Sequence, residues 1–373
     1  MKTQILFFVT EFWQAGTQRF TYELHSAIDK EKYDITILSY HPLGYMPNIE
    51  DYYYSKHIAL GAKVLFLNDL LATQKKSWFS YNKKLDLLNA FLDAYAAISF
   101  MGEYTYAGVQ SKLSPKNKQK SIIHIMNSKY QFPAIYDKYE KNDLYLFCSG
   151  FNEKEIKSEL SAFQKYNHFY FPLSIKFEND SPLWQAPKNN TKKRIAIFTR
   201  ITNTKPLDPF LYAFHLLQNI DADTELHIYG NHDEYLDTVK QMLYYLNIHK
   251  QTFFKGHVTD IKKTALEDDL HLVWFHSFYG SPGGFAGFDM ASIGVPQLFW
   301  NFTNTEEDDV SNVFPVYNNM NLFVQHSQEL LHNREALESL SKLQFNKVKE
   351  TRDIMRYMPQ IEAMYHEVIN NSK

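Results

Sequence analysis

Residues 194–208 read RIAIFTRITNTKPLD, an apolar run that passes directly into a polar loop. A short continuous apolar run is typical of a buried strand in a parallel sheet. Ligands of such sheets bind at the carboxyl ends of the strands, which is where Arg200 and Lys205 lie. Arg can hold a diphosphate through two hydrogen bonds and Lys adds a mobile charge. The stretch predicts an α/β fold with an anion site, although such a pair in a loop is more often a solvated surface.

A second informative stretch, residues 280–296, reads GSPGGFAGFDMASIGVP. It holds four of the 13 glycines of the chain between Gly280 and Gly287. A glycine-rich loop that leads into a helix presents backbone N–H groups to an anion, and the helix dipole adds to the attraction. The alternative is a plain turn before a core helix. Because glycine is scarce elsewhere, we favour the anion-binding loop.

Strand and helix patterns alternate on both sides of these stretches, which favours parallel sheets. The expected strands are 5–9, 33–38, 64–67, 121–126, 144–148, 194–198, 225–229, 252–254, 270–275 and 297–300. The expected helices are 19–28, 85–97, 152–160, 209–219, 235–246 and 285–293, with a largely helical tail over 328–369. A proline-containing stretch at 171–193 interrupts the series. We therefore predict two tandem doubly wound, Rossmann-like α/β domains with an interdomain cleft, at 1–172 and 194–350, joined by a linker at 173–193.

Composition narrows the functional class. A chain of 373 residues is long enough for two domains, and its net charge of −3 argues against a dedicated nucleic-acid binder. One cysteine, Cys148, excludes a disulfide framework and a cysteine-based metal site, and it suits a cytoplasmic location. No run of about 18 apolar residues is present. Residues 1–11 fit a first buried strand better than a signal peptide.

The order of motifs in the second half is similar to the nucleotide-binding half of family 4 glycosyltransferases, which are retaining enzymes with the GT-B fold. The similarity is carried by Arg200 and Lys205 with four residues between them, the strand LHIYG at 226–230, FKGHV at 254–258, and the glycine-rich loop with ASIGVP at 291–296. In the first half, AGTQR at 15–19 resembles the family's Gly-Gly-x-Glu-Arg loop, and segments 29–38 and 143–149 also resemble it. The resemblance implies that residues 351–373 form a helix that packs back on the first domain.

The resemblance also implies roles for individual residues. Arg200 and Lys205 would hold the diphosphate and stabilise the leaving nucleotide without a required metal. Gly283 and Gly284 would offer amides to the donor, and Asp289 would bind the ribose hydroxyls. The other donor-side residues that it implies are Gly16 near the β-phosphate, Val258 beside the base, and Thr199, Gly230 and Ser281.

Two residues of the first half are candidates for the acceptor side. His124 ends an apolar strand and is our candidate for the residue beside the reacting sugar, although a histidine there is more often structural. Glu103, in Met-Gly-Glu at 101–103, is a weaker acceptor-side candidate. The expected partners are a nucleotide sugar and a glycan, lipid-linked or protein acceptor.

The chain departs from the family pattern at several positions. Ser281 stands where the family has a Glu, and Asp289 is one methylene shorter than the usual second Glu. Thr199 replaces the Gly before the Arg, and Gln18 replaces a Glu. The loss of the first acid leaves two alternatives to a hexosyltransferase: an inactive glycosyltransferase-like scaffold, and the same fold with another reaction such as nucleotide-sugar epimerisation.

Charge runs add two weaker signals. The acidic run 306–309 suggests a metal site, but a solvated loop explains it as well, and no cofactor is expected. Lysines at 112, 116, 118 and 120 form a basic stretch that favours an exposed flexible loop over contact with anionic lipid. The sequence thus predicts a bacterial, cytoplasmic, metal-independent retaining hexosyltransferase that uses a UDP-sugar, with peripheral contact at the inner face of the membrane as an alternative.

Overall fold

The computed structural model describes residues 2–72, 80–125, 145–148, 167–170, 172–178, 183–188, 192–278, 281–302 and 313–372. The predicted helix 152–160 and the acidic run 306–309 lie outside the described residues. The chain divides into two compact units. Unit 1 consists of Met1–Lys176 and Asp353–Lys373, and unit 2 consists of Phe177–Arg352.

Unit 1 is built on a seven-stranded sheet of order β3-β2-β1-β4-β5-β6-β7. Every neighbouring pair is parallel. The strands are β1 (Thr3–Val9), β2 (Tyr33–Ser39), β3 (Lys63–Phe66), β4 (Ala97–Met101), β5 (Ser121–Ile125), β6 (Tyr145–Cys148) and β7 (Asn167–Tyr170). The helices are α1 (Gly16–Ala27), α2 (Tyr52–Ala59), α3 (Leu67–Ala72), α4 (Ser80–Asp93), α5 (Glu103–Ala107) and α6 (Pro115–Gln119).

Burial explains the central strands of unit 1. Residues 5–9 of β1 and all residues of β4 and β5 are buried, as expected for strands covered by helices on both faces. The β1 prediction is therefore confirmed, and the first residues form a central strand. Each fully buried large aliphatic or aromatic side chain contributes roughly 1.5–3 kcal/mol.

Two predictions for unit 1 are wrong. The expected helix 85–97 ends at Asp93, and the strand β4 that begins at Ala97 was not predicted. The basic stretch is not a flexible loop: it contains α6, whose N-cap Ser114 accepts a hydrogen bond from the Asn117 backbone N–H at 3.2 Å. Lys120 is buried and donates to the backbone carbonyls of residues 92 and 95 at 2.8 Å each.

Unit 2 has a second seven-stranded sheet of order β10-β9-β8-β11-β13-β14, with β12 antiparallel on β11. Its strands are β8 (Lys193–Phe198), β9 (Thr224–Tyr229), β10 (Thr252–Gly256), β11 (Leu272–Phe278), β12 (Ser281–Pro282), β13 (Gln297–Asn301) and β14 (Val316–Tyr317). Its helices are α7 (Asp208–Gln218), α8 (Tyr235–Tyr245), α9 (Ile261–Glu267), α10 (Gly284–Ser292), α11 (Met320–His332) and α12 (Arg334–Arg352). The predicted βα series of the second half is confirmed in type and order.

The chain passes from unit 1 to unit 2 and later returns. A buried residue close to each of these passages is hydrogen-bonded within a single unit. Trp184, in the stretch expected as a linker, is buried in unit 2, where its indole N–H donates to the carbonyl of Leu270 at 2.7 Å. The final helix α13 (Met358–Asn371) belongs to unit 1, where Tyr365 hydrogen-bonds Ser99 of β4 at 2.9 Å. None of the helices in the described ranges is both long and apolar enough to cross a membrane.

Candidate functional site

The strand order of unit 2 reverses between β8 and β11, because the chain runs outward from β8 through β9 to β10 and then returns to the other side of β8. In open parallel sheets ligands bind at this switch point, outside the carboxyl ends of the strands. Thr199 and Arg200 follow β8 directly, and Gly283 follows the β11–β12 pair. The sheet therefore directs both predicted anion-binding stretches to the switch point.

The loop after β8 is held in a defined shape by backbone hydrogen bonds. The N–H of Ile201 donates to the carbonyl of Asn231 at 2.8 Å, and the N–H of Lys205 donates to the carbonyl of Thr202 at 2.9 Å. Arg200 is exposed, whereas Lys205 is half-buried. Burial, with a further contribution from the charge of Arg200, lowers the pKa of Lys205. The two cations are therefore near enough to repel one another, which favours a bound anion between them.

Gly230 fixes the backbone under Arg200. It has φ +148°, and a Cβ built on it would lie 1.7 Å from the carbonyl oxygen of Thr199. Its N–H donates to the carbonyl of Gly256 at 2.8 Å. Only glycine fits where these two segments of the chain, at Thr199 and Gly230, cross so closely. Val258, the predicted neighbour of the base, is half-buried two residues beyond Gly256.

His276 of β11 joins the two anion-binding stretches and was not predicted from the sequence. Its Nε2 donates to the carbonyl of Pro206 at 2.8 Å, directly after Lys205. Its own carbonyl accepts from the N–H of Gly283 at 3.4 Å. Burial outweighs the opposing effect of the hydrogen bond to the Pro206 carbonyl and, with a smaller contribution from the charge of Lys205, lowers the pKa of His276 to about 4. The imidazole is thus neutral near pH 7.

The glycine-rich loop forms the N-terminus of α10. Gly283 is its N-cap at φ +66°, and a Cβ there would lie 2.9 Å from the Cα of Gly287 and 3.1 Å from the Phe275 ring. Gly284, the first helical residue, has φ +54° with open space around its Cβ position. The N-cap Gly283 has no side chain that could cap α10, and the first N–H groups of a helix have no intrahelical acceptors. A loop of this form suits phosphate or carboxylate oxygens.

The remaining donor-side candidates of unit 2 lie around this loop. Asp289 is buried within α10, in the second turn after the N-terminal amides. The backbone of Ser281 pairs with Phe278 in the short antiparallel β11–β12 ribbon. The structure brings Thr199, Arg200 and Lys205 together with the glycine loop.

Unit 1 has its own switch point between β1 and β4. Gly16 begins α1 in open space, and the methyl of the next residue, Thr17, would lie 3.4 Å from a Cβ on Gly102. Glu103 begins α5 and is buried. Nearby, Gln18 donates to Glu11, whose pKa is raised by burial. The chain after β1 and the chain after β4 therefore meet at this edge of the sheet.

His124 lies on β5 opposite Met101 and is fully buried, with its ring 5.7 Å from that of Phe20. Burial lowers the pKa of His124 to about 3, so the imidazole is neutral. In this conformation no part of the side chain is exposed to a sugar. Its role beside the reacting carbon stays a prediction that needs a rearrangement of the residues around it.

Among the described residues no group of three or more His, Cys, Asp or Glu is placed to hold a metal ion. The positive groups that the structure describes at the switch point of unit 2 are side chains and backbone amides. These can bind an anion directly.

No protein-family model and no curated protein matches the sequence, but solved structures match it over nearly its full length. S. aureus TarM, in complex with Fondaparinux, alpha-GlcNAc-glycerol and UDP, is 12% identical with a TM-score of 0.69, over 99% of this chain and 100% of that one. Anabaena HepE, in complex with UDP and glucose, is 10% identical with a TM-score of 0.69, over 98% and 100%. Sucrose-phosphate synthase from Thermosynechococcus elongatus is 12% identical with a TM-score of 0.69, over 98% and 99%.

The chain has the GT-B fold. Both of its units are parallel-sheet α/β units, and the likeness extends over the whole length of each neighbour. The predicted fold class is therefore confirmed. At 10–12% identity the likeness establishes architecture, whereas function depends on the site itself.

Proposed function

We propose that the protein is a retaining glycosyltransferase that moves a hexose from a nucleotide diphosphate sugar, a UDP-sugar, to a glycan, lipid-linked or protein acceptor. The observation that carries the proposal is the meeting of Arg200, Lys205 and the Gly283 loop at the switch point of unit 2. The GT-B neighbours support the donor, because TarM and HepE were crystallised with UDP. Retention rests on the resemblance to family 4.

The proposed chemistry stabilises the leaving nucleotide. As the bond between the anomeric carbon and the diphosphate breaks, negative charge grows on the leaving oxygen. Arg200 contacts the diphosphate as a bidentate donor, Lys205 adds a second cation, and the amides of α10 add aligned dipoles. These groups supply the positive charge that the reaction needs without a required metal. Asp289 would bind the ribose hydroxyls.

Unit 1 would supply the acceptor side. Gly16, at the start of α1, stays the candidate for a phosphate contact, since it has no side chain and no described atom lies within 4 Å of its Cβ position. Glu103 at the neighbouring strand end is the candidate acceptor-side acid, and His124 the candidate beside the sugar.

A UDP-release assay tests the proposed reaction. The protein is incubated with UDP-glucose, UDP-galactose and UDP-N-acetylglucosamine, with and without acceptor glycans, and free UDP is measured. We expect release from one donor, reduced by about a hundredfold in Arg200→Ala, as when one oxyanion-stabilising donor is removed. Arg334→Ala is the matched control, since Arg334 is an exposed arginine of α12 paired with Glu338. Release from no donor, or release equal in both variants, contradicts the proposal.

A second candidate, an inactive glycosyltransferase-like scaffold, is favoured by one observation: Ser281 stands where the family resemblance implies a donor-binding acid. A scaffold could bind glycan or a partner while releasing no nucleotide. Nucleotide binding without release from any donor would favour this candidate. Release of UDP that depends on Arg200 would exclude it.

A further inference from the structure

Unit 1 contains a cavity of about 280 Å³ beside the carboxyl ends of β2 and β3. Tyr40 and His41, which follow β2, form one wall. Leu88 and Val109 lie at its base and belong to the hydrophobic core of unit 1. The cavity therefore opens at the carboxyl edge of the sheet and has an apolar floor. Its volume is near the lower end of the range for small-molecule sites.

Two lysines line the same cavity. Lys84 comes from α4, and Lys112 comes from the 3₁₀ turn Gln110–Lys112. Both are half-buried, and neither forms an ion pair with a residue in the described part of the chain. The described lining residues include no Asp or Glu. A cavity with two cations and no acid suits one anionic group.

The loop after β2 carries an unusual apolar surface. Every residue from 42 to 50 is exposed, including Leu43 (42%), Tyr45 (51%), Met46 (42%) and Ile49 (41%). Clustered apolar side chains of this kind mark contact with a lipid, a ligand or a partner. The only acids of the loop are Glu50 and Asp51, at its far end. We call residues 42–51 the apolar loop.

The apolar loop is held in place and joined to the cavity. The N–H of Gly44 donates to the Asp51 carboxylate at 2.7 Å, and the N–H of Ile49 donates to the carbonyl of Met46 at 3.1 Å. The ring of Tyr45 stacks on that of His41 at 3.8 Å, and His41 lines the cavity. The apolar surface and the two lysines are therefore parts of one continuous face.

We propose that this face binds an amphiphile: its anionic headgroup lies between Lys84 and Lys112, and its apolar part lies against the apolar loop. A soluble anion would need only the lysines, whereas a neutral lipid would need only the loop. The presence of both on one face favours a phosphate-bearing lipid. Resting on the proposed function, this places the acceptor side of unit 1 at an anionic membrane surface.

Vesicle sedimentation tests the proposal with the full chain. The probes are vesicles of equal parts phosphatidylglycerol and phosphatidylcholine, and vesicles of phosphatidylcholine alone. We expect binding to the anionic vesicles, weakened about 30-fold in Lys84→Gln/Lys112→Gln, since each lysine near an anionic surface contributes about 1 kcal/mol. Leu43→Ser/Ile49→Ser should also bind more weakly. Thermal unfolding verifies that these surface variants fold.

Matched control variants distinguish binding at this cavity from a general effect of positive charge on vesicle binding. Lys63→Gln/Lys116→Gln removes the same charge from unit 1, at the amino end of β3 and beside Asp93, and should change binding less than threefold. Ile58→Ser is the apolar control, since Ile58 is equally exposed on α2. Absence of vesicle binding in the wild type, or equal loss in both lysine variants, overturns the proposal.

A calorimetric titration with inorganic phosphate and glycerol phosphate distinguishes a lipid from a free anion. Tight binding of these soluble probes, combined with unchanged vesicle binding of Leu43→Ser/Ile49→Ser, would make the cavity a free-anion site and overturn the lipid assignment. The same lysine variant is also titrated with UDP, where wild-type affinity is expected. If the wild type fails to bind UDP but binds anionic vesicles, the proposed function fails while this inference stands.

Discussion

The imidazole of His276 donates a hydrogen bond from Nε2 to the carbonyl oxygen of Pro206 over 2.8 Å. Because a carbonyl only accepts, Nε2 must carry the proton. This bond ties the loop that contains Lys205 to β11, and the backbone of the same histidine accepts from Gly283. One buried residue thus positions both parts of the proposed diphosphate site, the Lys205 loop through its side chain and Gly283 through its backbone. It acts through its neighbours and is a positioning residue.

Replacement of His276 should weaken nucleotide binding without removing a charge from the site. His276→Leu loses a buried hydrogen bond worth about 1 kcal/mol, so we expect UDP affinity to fall about fivefold. His276→Gln keeps an N–H donor near the position of Nε2 and should restore most of the affinity. Calorimetric titration measures both. His232→Leu, on the exposed neighbouring loop, is the control, and equal affinity in His276→Leu and wild type would contradict the positioning role.

Gly230→Ala should unfold unit 2 at lower denaturant concentration. Its Cβ would lie 1.7 Å from the carbonyl oxygen of Thr199, at a positive φ. Overpacking and backbone strain together predict a loss of about 2–5 kcal/mol in the free energy of unfolding. Gly256→Ala, with φ +77° and open space, should lose only about 1 kcal/mol. Urea unfolding compares the two variants. Similar losses in the free energy of unfolding would contradict the close approach of Gly230 to Thr199.

Stability should fall as the pH drops below 6.5, because of two stacked histidines in unit 1. His25 and His57 are buried and hydrogen-bonded between their Nδ1 atoms at 3.0 Å. Burial, with the charge of Lys30, lowers the pKa of His25 to about 2 and that of His57 to about 3. The unfolded chain takes up protons near pH 6.5 while the folded chain does not. Each histidine therefore contributes stability above pH 6.5 that is lost on acidification, about 2 kcal/mol by pH 5.

Urea unfolding between pH 7 and pH 5 measures this dependence. His25→Leu/His57→Leu should show a pH slope smaller by about two protons than the wild type. His366→Gln removes an exposed histidine of α13 and should leave the slope nearly unchanged. An unchanged slope in the double variant would show that His25 and His57 do not cause the pH dependence of stability.

The C-terminal helix should stabilise unit 1 through Tyr365. Its hydroxyl is buried and bonded to Ser99 of β4 at 2.9 Å. Tyr365→Phe leaves the Ser99 hydroxyl without this partner and should cost about 1–2 kcal/mol, with a smaller cost in Ser99→Ala/Tyr365→Phe than the sum of the single changes. A double-mutant cycle by chemical unfolding tests this, and strict additivity would mean that the two residues are uncoupled.

The alternating fold could be predicted from local patterns because central parallel strands are short apolar runs between amphipathic helices. Thr3–Val9 and Lys193–Phe198 are both of this kind. Ala97–Met101 was missed because it follows the apolar periodicity of α4 after only three residues. Lys120 was misassigned because sequence shows a charge but not the two carbonyls that satisfy it.

The site was predictable only in part. Charged and glycine-rich loops after strands are visible in sequence, so the positions of Arg200, Lys205 and Gly283 after strands of unit 2 could be predicted. The role of His276 depends on a contact between residues seventy positions apart, and it sits inside an apolar strand where its side chain looks structural. The lysines of the unit 1 cavity are separated by a strand and a helix, so only the fold brings them to one wall.

The central claim, a diphosphate site at the switch point of unit 2, is tested most directly by calorimetric titration with UDP, GDP and ADP. The account predicts binding of UDP by the wild type and by Arg334→Ala, and loss of at least tenfold in affinity in Arg200→Ala, since a charged hydrogen-bond donor is worth about 1.5–3 kcal/mol. The absence of binding with all three nucleotides, or unchanged affinity in Arg200→Ala, would contradict it.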